Sequence, residues 1–197
     1  MGLDKRIGPK FLHPGPGYGG SCLPKDTYAM QSFVAAKGYD FKILSAVIAA
    51  NEHQVDVMVE KVRSALKDIK GKTIGVLGLA FKQNTDDIRE SPAVKIIEAL
   101  VKQGAKIRCF DPLAMDNVKK VMPDLTYCKD EYETARGCDA LVVATEWNQF
   151  RNLDLEKIKK LLKSAILLDL RNLYDPTKVR QLGFTYCSVG RLSADDQ

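Results

Sequence analysis

The chain has 197 residues, of which 45% are hydrophobic and 28% are charged. This length and composition are sufficient for one domain or two small ones, and they argue against a disordered chain. No stretch approaches the roughly 20 apolar residues that a membrane-spanning helix needs, and the first residues lack the apolar core of a signal peptide. We therefore expect a soluble protein that is not exported.

Charge and cysteine content exclude further classes of protein. The net charge of +5 is spread along the chain, so nucleic acid is not an expected partner. Five cysteines without a CxxC pair indicate neither a disulfide framework nor a zinc site, and two histidines are too few for a His-rich metal site. These features fit a reducing compartment and predict a cytoplasmic protein without a metal.

The first 70 residues are predicted to be a helical segment that follows a loop rich in glycine and proline. Residues 13–20 form this loop, and a helix is expected from Pro24 to Lys37, with Ser21 as its cap and Gly38 as its stop. Apolar residues at steps of three or four predict a second helix over residues 42–66. A helix of this length favours a partner along its face.

From Gly71 onward, apolar strand patterns alternate with helical patterns, which predicts a parallel sheet covered on both faces. The fold class is therefore α/β, with domains 1–70 and 71–197 joined near Gly71 and Lys72. Strands are predicted at 73–79, 106–110, 140–144, 165–170 and 184–189, helices at 92–102, 131–136, 155–162 and 176–182, and a weaker helix–strand pair within 114–128.

Cys22 is the first candidate for chemistry. It lies at the predicted start of a helix, where unpaired N–H groups and the helix dipole favour a thiolate. Asp26 follows one turn later on the same face, and a thiol with a neighbouring carboxylate suits acyl chemistry. By residue type alone, a small buried cysteine at an ordinary helix start is the commoner explanation.

The ends of the predicted strands supply further candidates. Residues 75–82 resemble a nucleotide-binding turn without spelling GxGxxG, and Lys82 could meet an anion there or be an ordinary solvated lysine. Asp111 stands where a ribose-binding acid would be sought, although Asp-Pro more often forms a turn. Arg171 follows a strand end and could hold a phosphate or form a surface ion pair.

Several of these motifs together resemble one family. The motifs GGSCLPKD, GLAFK, TDDIRESPA, TEWNQF and DLRN occur in the order found in the UDP-glucose/GDP-mannose dehydrogenase family. The resemblance covers nearly the whole chain. It implies a central helical segment with a long dimerisation helix, followed by a Rossmann-like domain that binds a UDP-sugar.

The resemblance also implies residue roles. Cys22 corresponds to the catalytic nucleophile and Asp26 to the acid that handles protons and activates water. Lys25 and Arg89 correspond to positions that contact NAD, and Arg6 to an arginine that reaches the neighbouring subunit's site. Substrate-binding positions correspond to Arg6, Phe11, Leu12, His13, Gly15, Gly17, Tyr18, Gly19, Phe81, Lys82 and Arg171.

The activity implied by this resemblance is the NAD-dependent oxidation of UDP-glucose to UDP-glucuronate through a cysteine thioester. The family's N-terminal NAD-binding domain has no counterpart in these residues, so we expect the isolated chain not to turn over. Two alternatives stay open: a module that binds sugar nucleotide and dimerises through residues 42–66 without chemistry, and a family member that acts on GDP-mannose or a UDP-N-acetylhexosamine.

Overall fold

The computed structural model describes residues 1–9 and 12–191. Two helices come first, α1 over Leu23–Ala35 and α2 over Lys42–Leu66. The remaining described residues alternate between strands and helices. Among the helices of these residues, none has the length and apolar character needed to cross a membrane.

Six parallel strands form one sheet in the order β3-β2-β1-β4-β5-β6. The chain builds outward from β1 to β3, then returns to the other side of β1 with β4. The strands are β1 Thr73–Leu77, β2 Lys106–Phe110, β3 Thr126–Tyr127, β4 Ala140–Val143, β5 Ile166–Asp169 and β6 Thr185–Ser188, and the helices α3 Pro92–Lys102, α4 Met115–Val121, α5 Glu131–Ala135, α6 Asn148–Arg151, α7 Leu155–Leu161 and α8 Pro176–Gln181.

This strand order creates a crevice above β1 and β4. Connections leave these two neighbouring strands toward opposite sides of the sheet, so their carboxyl ends are not covered by a crossing segment. The residues that follow β1 and β4 therefore border the usual ligand position of an open α/β sheet. Phe81 and Lys82 follow β1, and Glu146 follows β4.

Apolar side chains cover both faces of the sheet. One buried cluster joins β1 and α3 to the C-terminal half of α2, where Met58 and Val62 have no exposed surface. A second cluster on the other face includes Phe150 and Ile158. Because the C-terminal half of α2 packs into the first cluster, this helix ties the first 70 residues to the sheet.

The predicted α/β class and parallel sheet are confirmed, with local differences at element ends. The bounds of α2, α3 and β2 agree with the predicted ones. β1 ends at Leu77, two residues early, because Gly78 adopts φ +92° and turns the chain. The α1 start also differs, since Cys22 occupies the N-cap position expected for Ser21, and no side chain caps the helix.

Candidate active site

Two glycines bring the loop before α1 against the crevice. A Cβ atom on Gly20 would lie 2.7 Å from the Phe81 ring, and one on Gly19 would lie 2.3 Å from the Glu90 carbonyl oxygen. The Gly20 N–H donates to the Arg89 carbonyl at 2.9 Å. Only glycine permits this close approach, so the loop lies directly on the turn that follows β1.

Cys22 follows this contact and is exposed. Its backbone is in the right-handed helical region as the N-cap of α1, and its carbonyl accepts from the Asp26 N–H at 2.8 Å. The Ser21 Oγ lies 3.7 Å from the Cys22 sulfur. The thiol is thus accessible at a helix start, with the positive end of the helix dipole beneath it.

The other cysteines have different surroundings. Cys109, Cys128 and Cys138 are buried. Burial raises the pKa of Cys109 and Cys138 to about 12, which keeps both thiols protonated at neutral pH. Cys187 is of intermediate exposure, so Cys22 is the exposed cysteine among the five.

Two ion pairs lie in the neighbourhood of Cys22. Lys25 Nζ lies 2.9 Å from Asp26 Oδ1, and Arg89 donates from Nε and Nη2 to the two Asp87 carboxylate oxygens at 2.9 and 2.7 Å. The pKa of Lys25 is raised, chiefly by Asp26 and slightly by Cys22. The pKa of Arg89 is raised, chiefly by Asp87 and slightly by Cys22. Both cations are therefore within electrostatic reach of the thiol.

The turn after β1 carries the next candidates. The Phe81 N–H donates to the Asp87 carbonyl at 3.1 Å, which holds the turn against the loop of residues 84–90. Lys82 is exposed, and its Nζ lies 5.4 Å from the Phe81 ring centroid. The structure therefore brings Phe81 close to the loop before α1, which leads to Cys22. It leaves the Lys82 ammonium group accessible to an anion.

Asp111 has a structural position and is not a ribose ligand. Both carboxylate oxygens are buried and saturated by hydrogen bonds. Oδ2 accepts from the N–H groups of Leu79 and Ala80 and from Trp147 Nε1, at 2.7, 3.1 and 3.2 Å. Oδ1 accepts from the N–H groups of Leu113 and Ala114, both at 2.9 Å. The carboxylate thus fills the amide cradle that a nucleotide phosphate occupies in a dinucleotide-binding turn.

Arg171 lies at a second part of the crevice, beyond β5. Its Nη2 pairs with Glu146 Oε2 at 2.5 Å, and both side chains are about four-fifths buried, at 21% and 19% exposure. A Cβ atom on Gly15 would lie 2.8 Å from Arg171 Nη1, so the glycine-rich loop packs on the guanidinium group. The ion pair is therefore less exposed to solvent screening than a surface pair.

A cleft of about 560 Å³ opens beside this ion pair. Two of its arginines were not identified from the sequence. Arg191 follows β6, so the strand-end rule that identified Arg171 also applies to it. Arg151 lies in the four-residue α6, which has no periodicity to find. The lining residues are His13, Pro14, Glu146, Arg151, Arg171, Asn172, Val189, Gly190 and Arg191.

The remaining predicted positions are distributed as follows. Leu12 is exposed, and Gly17 and Tyr18 contact α2. Arg6 is 89% exposed and pairs with Asp4, so it is not brought to either part of the crevice within one chain. Phe11 lies outside the described residues.

The fold and the site define a class of protein: a Rossmann-like domain whose ligand crevice is closed on one side by a helical segment with an exposed thiol. Residues 75–176 match the UDP-binding domain of the UDP-glucose/GDP-mannose dehydrogenase family, and residues 1–53 match its central domain. The chain belongs to this family, as the sequence motifs predicted.

Named relatives and solved structures agree with this assignment. The chain is 46% identical over 192 residues to a UDP-glucose 6-dehydrogenase of Rhizobium meliloti, which covers 97% of this chain and 44% of the relative. It is 41% identical to the UDP-glucose 6-dehydrogenase TuaD of Bacillus subtilis, with 97% and 42% coverage. A UDP-glucose dehydrogenase structure from Pyrobaculum islandicum superposes with a TM-score of 0.83 at 36% identity, over 94% of this chain and 41% of that one. The chain thus spans less than half the length of these relatives.

Proposed function

We propose that this chain is the nucleophile-bearing and sugar-nucleotide-binding part of an NAD-dependent UDP-glucose 6-dehydrogenase. The observation that carries the proposal is the exposed Cys22 thiol at the start of α1, packed through Gly20 against the Phe81 turn and flanked by two cations. The named activity of the most similar relatives supports the choice of reaction.

The proposed chemistry begins with the C6 alcohol of UDP-glucose, which loses a hydride and a proton to become an aldehyde. The Cys22 thiolate adds to the aldehyde carbon and forms a thiohemiacetal. Loss of a second hydride from C6 and of the hydroxyl proton converts this adduct into a thioester on Cys22. Water then attacks the thioester carbon, the C–S bond breaks, and UDP-glucuronate leaves while the thiol regains its proton.

Asp26 is the proposed residue for proton handling. It lies one helical turn after Cys22, and its carboxylate is exposed to the water that the hydrolytic step requires. Its Oδ1 lies 2.9 Å from Lys25 Nζ, and a carboxylate in this position can accept a proton from the attacking water. This places a base near the thioester without burying it away from solvent.

The substrate is proposed to lie along the crevice between the two site regions. Lys82 and Arg171 supply positive charge for the diphosphate, since both follow strand ends that border the crevice. The loop from His13 to Gly19 covers the ligand from the other side. Under the family resemblance, Phe11, Leu12 and Phe81 complete the substrate contacts, and Arg6 comes from a neighbouring subunit.

NAD fits this site from one side. Lys25 and Arg89 present two exposed cations beside Cys22, which suit the phosphates of an anionic dinucleotide. When bound, NAD would accept one hydride per molecule, so two molecules binding in succession would take the two hydrides. The amide cradle after β1 is filled by Asp111 and offers no second phosphate site. Because these residues provide so few cofactor contacts, we propose that the chain by itself does not turn over.

A homodimer is the proposed assembly. The N-terminal half of α2 and the outer face of α1 expose large apolar side chains, with Phe33 at 64% and Ile43 at 74% exposure. These exposed side chains make residues 42–66, together with α1, the candidate surface for the dimer contact. Because none of the five cysteines, all within the described residues, forms a disulfide, we further expect the protein to work in a reducing compartment, the cytoplasm.

Alkylation of Cys22 by iodoacetamide tests the proposed function directly on this chain. UDP-glucose should slow the alkylation of Cys22, measured by peptide mass spectrometry, and Lys82→Ala should weaken this protection. Lys106→Ala serves as the control, because it removes an exposed lysine at the start of β2, at the end of the sheet opposite the crevice. Alkylation at the same rate with and without UDP-glucose would refute the proposal.

The same assay separates the alternative sugars. Solved structures of a UDP-D-ManNAc dehydrogenase from Pyrococcus horikoshii and a GDP-mannose dehydrogenase from Pseudomonas aeruginosa are each 28% identical to this chain. If GDP-mannose or a UDP-N-acetylhexosamine protects Cys22 more strongly than UDP-glucose does, the proposed substrate changes to that sugar nucleotide. The proposed mechanism stays the same. Protection by UDP-glucose without formation of a Cys22 adduct from the corresponding C6 aldehyde would favour the binding module.

A further inference from the structure

Two amide side chains of α2 hold the glycine-rich loop from behind. Asn51 Oδ1 accepts from the Tyr18 N–H at 2.8 Å, and Asn51 Nδ2 donates to the Tyr18 carbonyl at 3.2 Å. One turn along the helix, Gln54 Nε2 donates to the Gly15 carbonyl at 2.9 Å. A primary amide presents a donor and an acceptor side by side, so Asn51 can satisfy both backbone groups of one residue. We call Asn51 and Gln54 the amide clamp.

The loop sequence is adapted to this clamp. Gly17 has φ +118°, and a Cβ atom there would lie 2.9 Å from Asn51 Oδ1. A larger residue at position 17 would therefore collide with the side chain that binds Tyr18. Glycine at position 17 therefore leaves the room that the Asn51 side chain needs to bind Tyr18.

The loop packs closely at Gly19 and Gly20, which are buried, and less closely around Tyr18. A space of about 190 Å³ lies between the loop, the start of α1, α2 and the start of α3, and Tyr18 and Asn51 border it. His13 and Pro14, at the other end of the loop, are exposed. At Tyr18, beside this space, the hydrogen bonds of Asn51 hold the backbone of the loop.

The clamp lies close in sequence to the reacting thiol. Tyr18 is held by Asn51, Gly20 is held by the Arg89 carbonyl, and Cys22 comes two residues later. We propose that Asn51 and Gln54 are positioning residues, which fix the backbone of residues 15–18 so that Gly20 reaches Arg89 and Cys22 lies beside the crevice. The link to catalysis rests on the function proposed above, whereas the positioning itself concerns only this chain.

Amide hydrogen exchange, measured by NMR on the chain without ligand, tests the positioning. Asn51→Ala should accelerate exchange of the Tyr18 N–H about tenfold, the effect of losing one good hydrogen bond. It should also accelerate exchange of the Gly20 N–H, although the Arg89 carbonyl that binds it is untouched. Gln31→Ala is the matched control, since its side-chain amide also donates to another element, to Ser45 Oγ of α2, in the second half of α1 and away from the loop.

Three results of this experiment decide whether Asn51 positions the loop. An unchanged Gly20 rate would show that Asn51 acts only on Tyr18 and would overturn the proposal. Equal acceleration of sheet amides such as that of Val76 would show a general loss of stability and would also overturn it. Asn51→Asp keeps the shape and the acceptor but not the donor, so intermediate exchange rates for this variant would support the clamp.

Calorimetry with UDP-glucose links the clamp to the ligand. Asn51→Ala should raise the dissociation constant for UDP-glucose about tenfold, since part of the binding energy must then order the loop. Gln54→Ala should act in the same direction, and Gln31→Ala should have no effect. An unchanged dissociation constant in Asn51→Ala overturns the role in binding. Absence of UDP-glucose binding by the unaltered chain would refute the proposed function, but not the positioning, which the exchange rates measure without ligand.

Discussion

Gly20 and Gly38 share a left-handed backbone but differ in their surroundings. Gly20 has φ +83° and would place a Cβ atom 2.7 Å from the Phe81 ring, whereas Gly38 has φ +75° and open space around it. At both positions alanine meets the backbone strain of a positive φ, about 1 kcal/mol. Only at Gly20 must a neighbouring side chain also move.

We therefore predict different outcomes for Gly20→Ala and Gly38→Ala. Gly38→Ala should lower the free energy of unfolding by about 1 kcal/mol and leave the protection of Cys22 by UDP-glucose intact. Gly20→Ala should lower it by about 2–3 kcal/mol and abolish the protection, because Phe81 is displaced. Urea unfolding and the alkylation assay measure the two effects, and equal behaviour of the two variants would contradict the close contact.

Asp111 shows how a carboxylate can stabilise a nucleotide-type turn without a nucleotide. Asp111→Asn should lower the free energy of unfolding by about 3 kcal/mol or more, because an amide group cannot accept from five buried donors on two sides. Asp116→Asn, at an exposed ion pair with Lys119, should cost less than about 0.5 kcal/mol. Urea unfolding of both variants provides the comparison, and similar costs would refute this role for Asp111.

Buried thiols should make the fold sensitive to alkaline pH. Burial raises the pKa of Cys109 and Cys138 to about 12, whereas a cysteine in an unfolded chain titrates near 8.5. Between these values the unfolded chain has released protons that the folded chain retains, so stability falls as pH rises from about 8.5 toward 12. Urea midpoints measured from pH 8 to 10.5 should decrease, and less steeply in Cys138→Ala. Identical slopes would contradict this expectation.

At the scale of elements, α2 combines two environments in one helix. Its periodic apolar residues predicted the helix over 42–66, which the structure contains. The same pattern did not show that Met58 would be fully buried while Ile43 would be exposed. An apolar stripe predicts that a face will be covered, but the covering element comes from elsewhere in the fold.

This difference along α2 predicts different costs for truncation. Met58→Ala should lower the free energy of unfolding by about 2–5 kcal/mol, because it leaves a cavity beneath the sheet. Ile43→Ala should change the unfolding of the monomer by less than about 0.5 kcal/mol. Chemical denaturation at low protein concentration measures both values, and a large loss in Ile43→Ala would place this residue in the monomer's own core.

The short α6 marks the limit of pattern-based prediction at this scale. Asn148–Arg151 is only four residues long, too short for a periodic signal. The helix is held by tertiary contacts, since Phe150 is fully buried and its carbonyl accepts a hydrogen bond from the Tyr174 hydroxyl. Arg151 reaches the crevice through this helix, which is why the sequence did not identify it.

At the scale of the whole molecule, the exposed apolar surface of α1 and α2 predicts association. Ile43→Glu should convert the proposed homodimer into a monomer, because a charge cannot be buried cheaply in an apolar contact. Light scattering after gel filtration gives the mass, and Val121→Glu is the control, since it places the same new side chain at an exposed apolar position of α4, outside α1 and α2. A monomeric unaltered chain would contradict the proposed dimer.

The sequence by itself determined the class of fold, most strand and helix positions and the family motifs, including the Cys22 segment. These features depend on local periodicity, turn residues and short motifs, all of which act over a few neighbouring positions. Only the tertiary structure decided that Glu146 pairs with Arg171, that Asp111 fills the turn after β1, and that Asn51 holds Tyr18. Each of these contacts joins residues more than 20 positions apart, and their meeting depends on the strand order and on how α2 packs against the sheet.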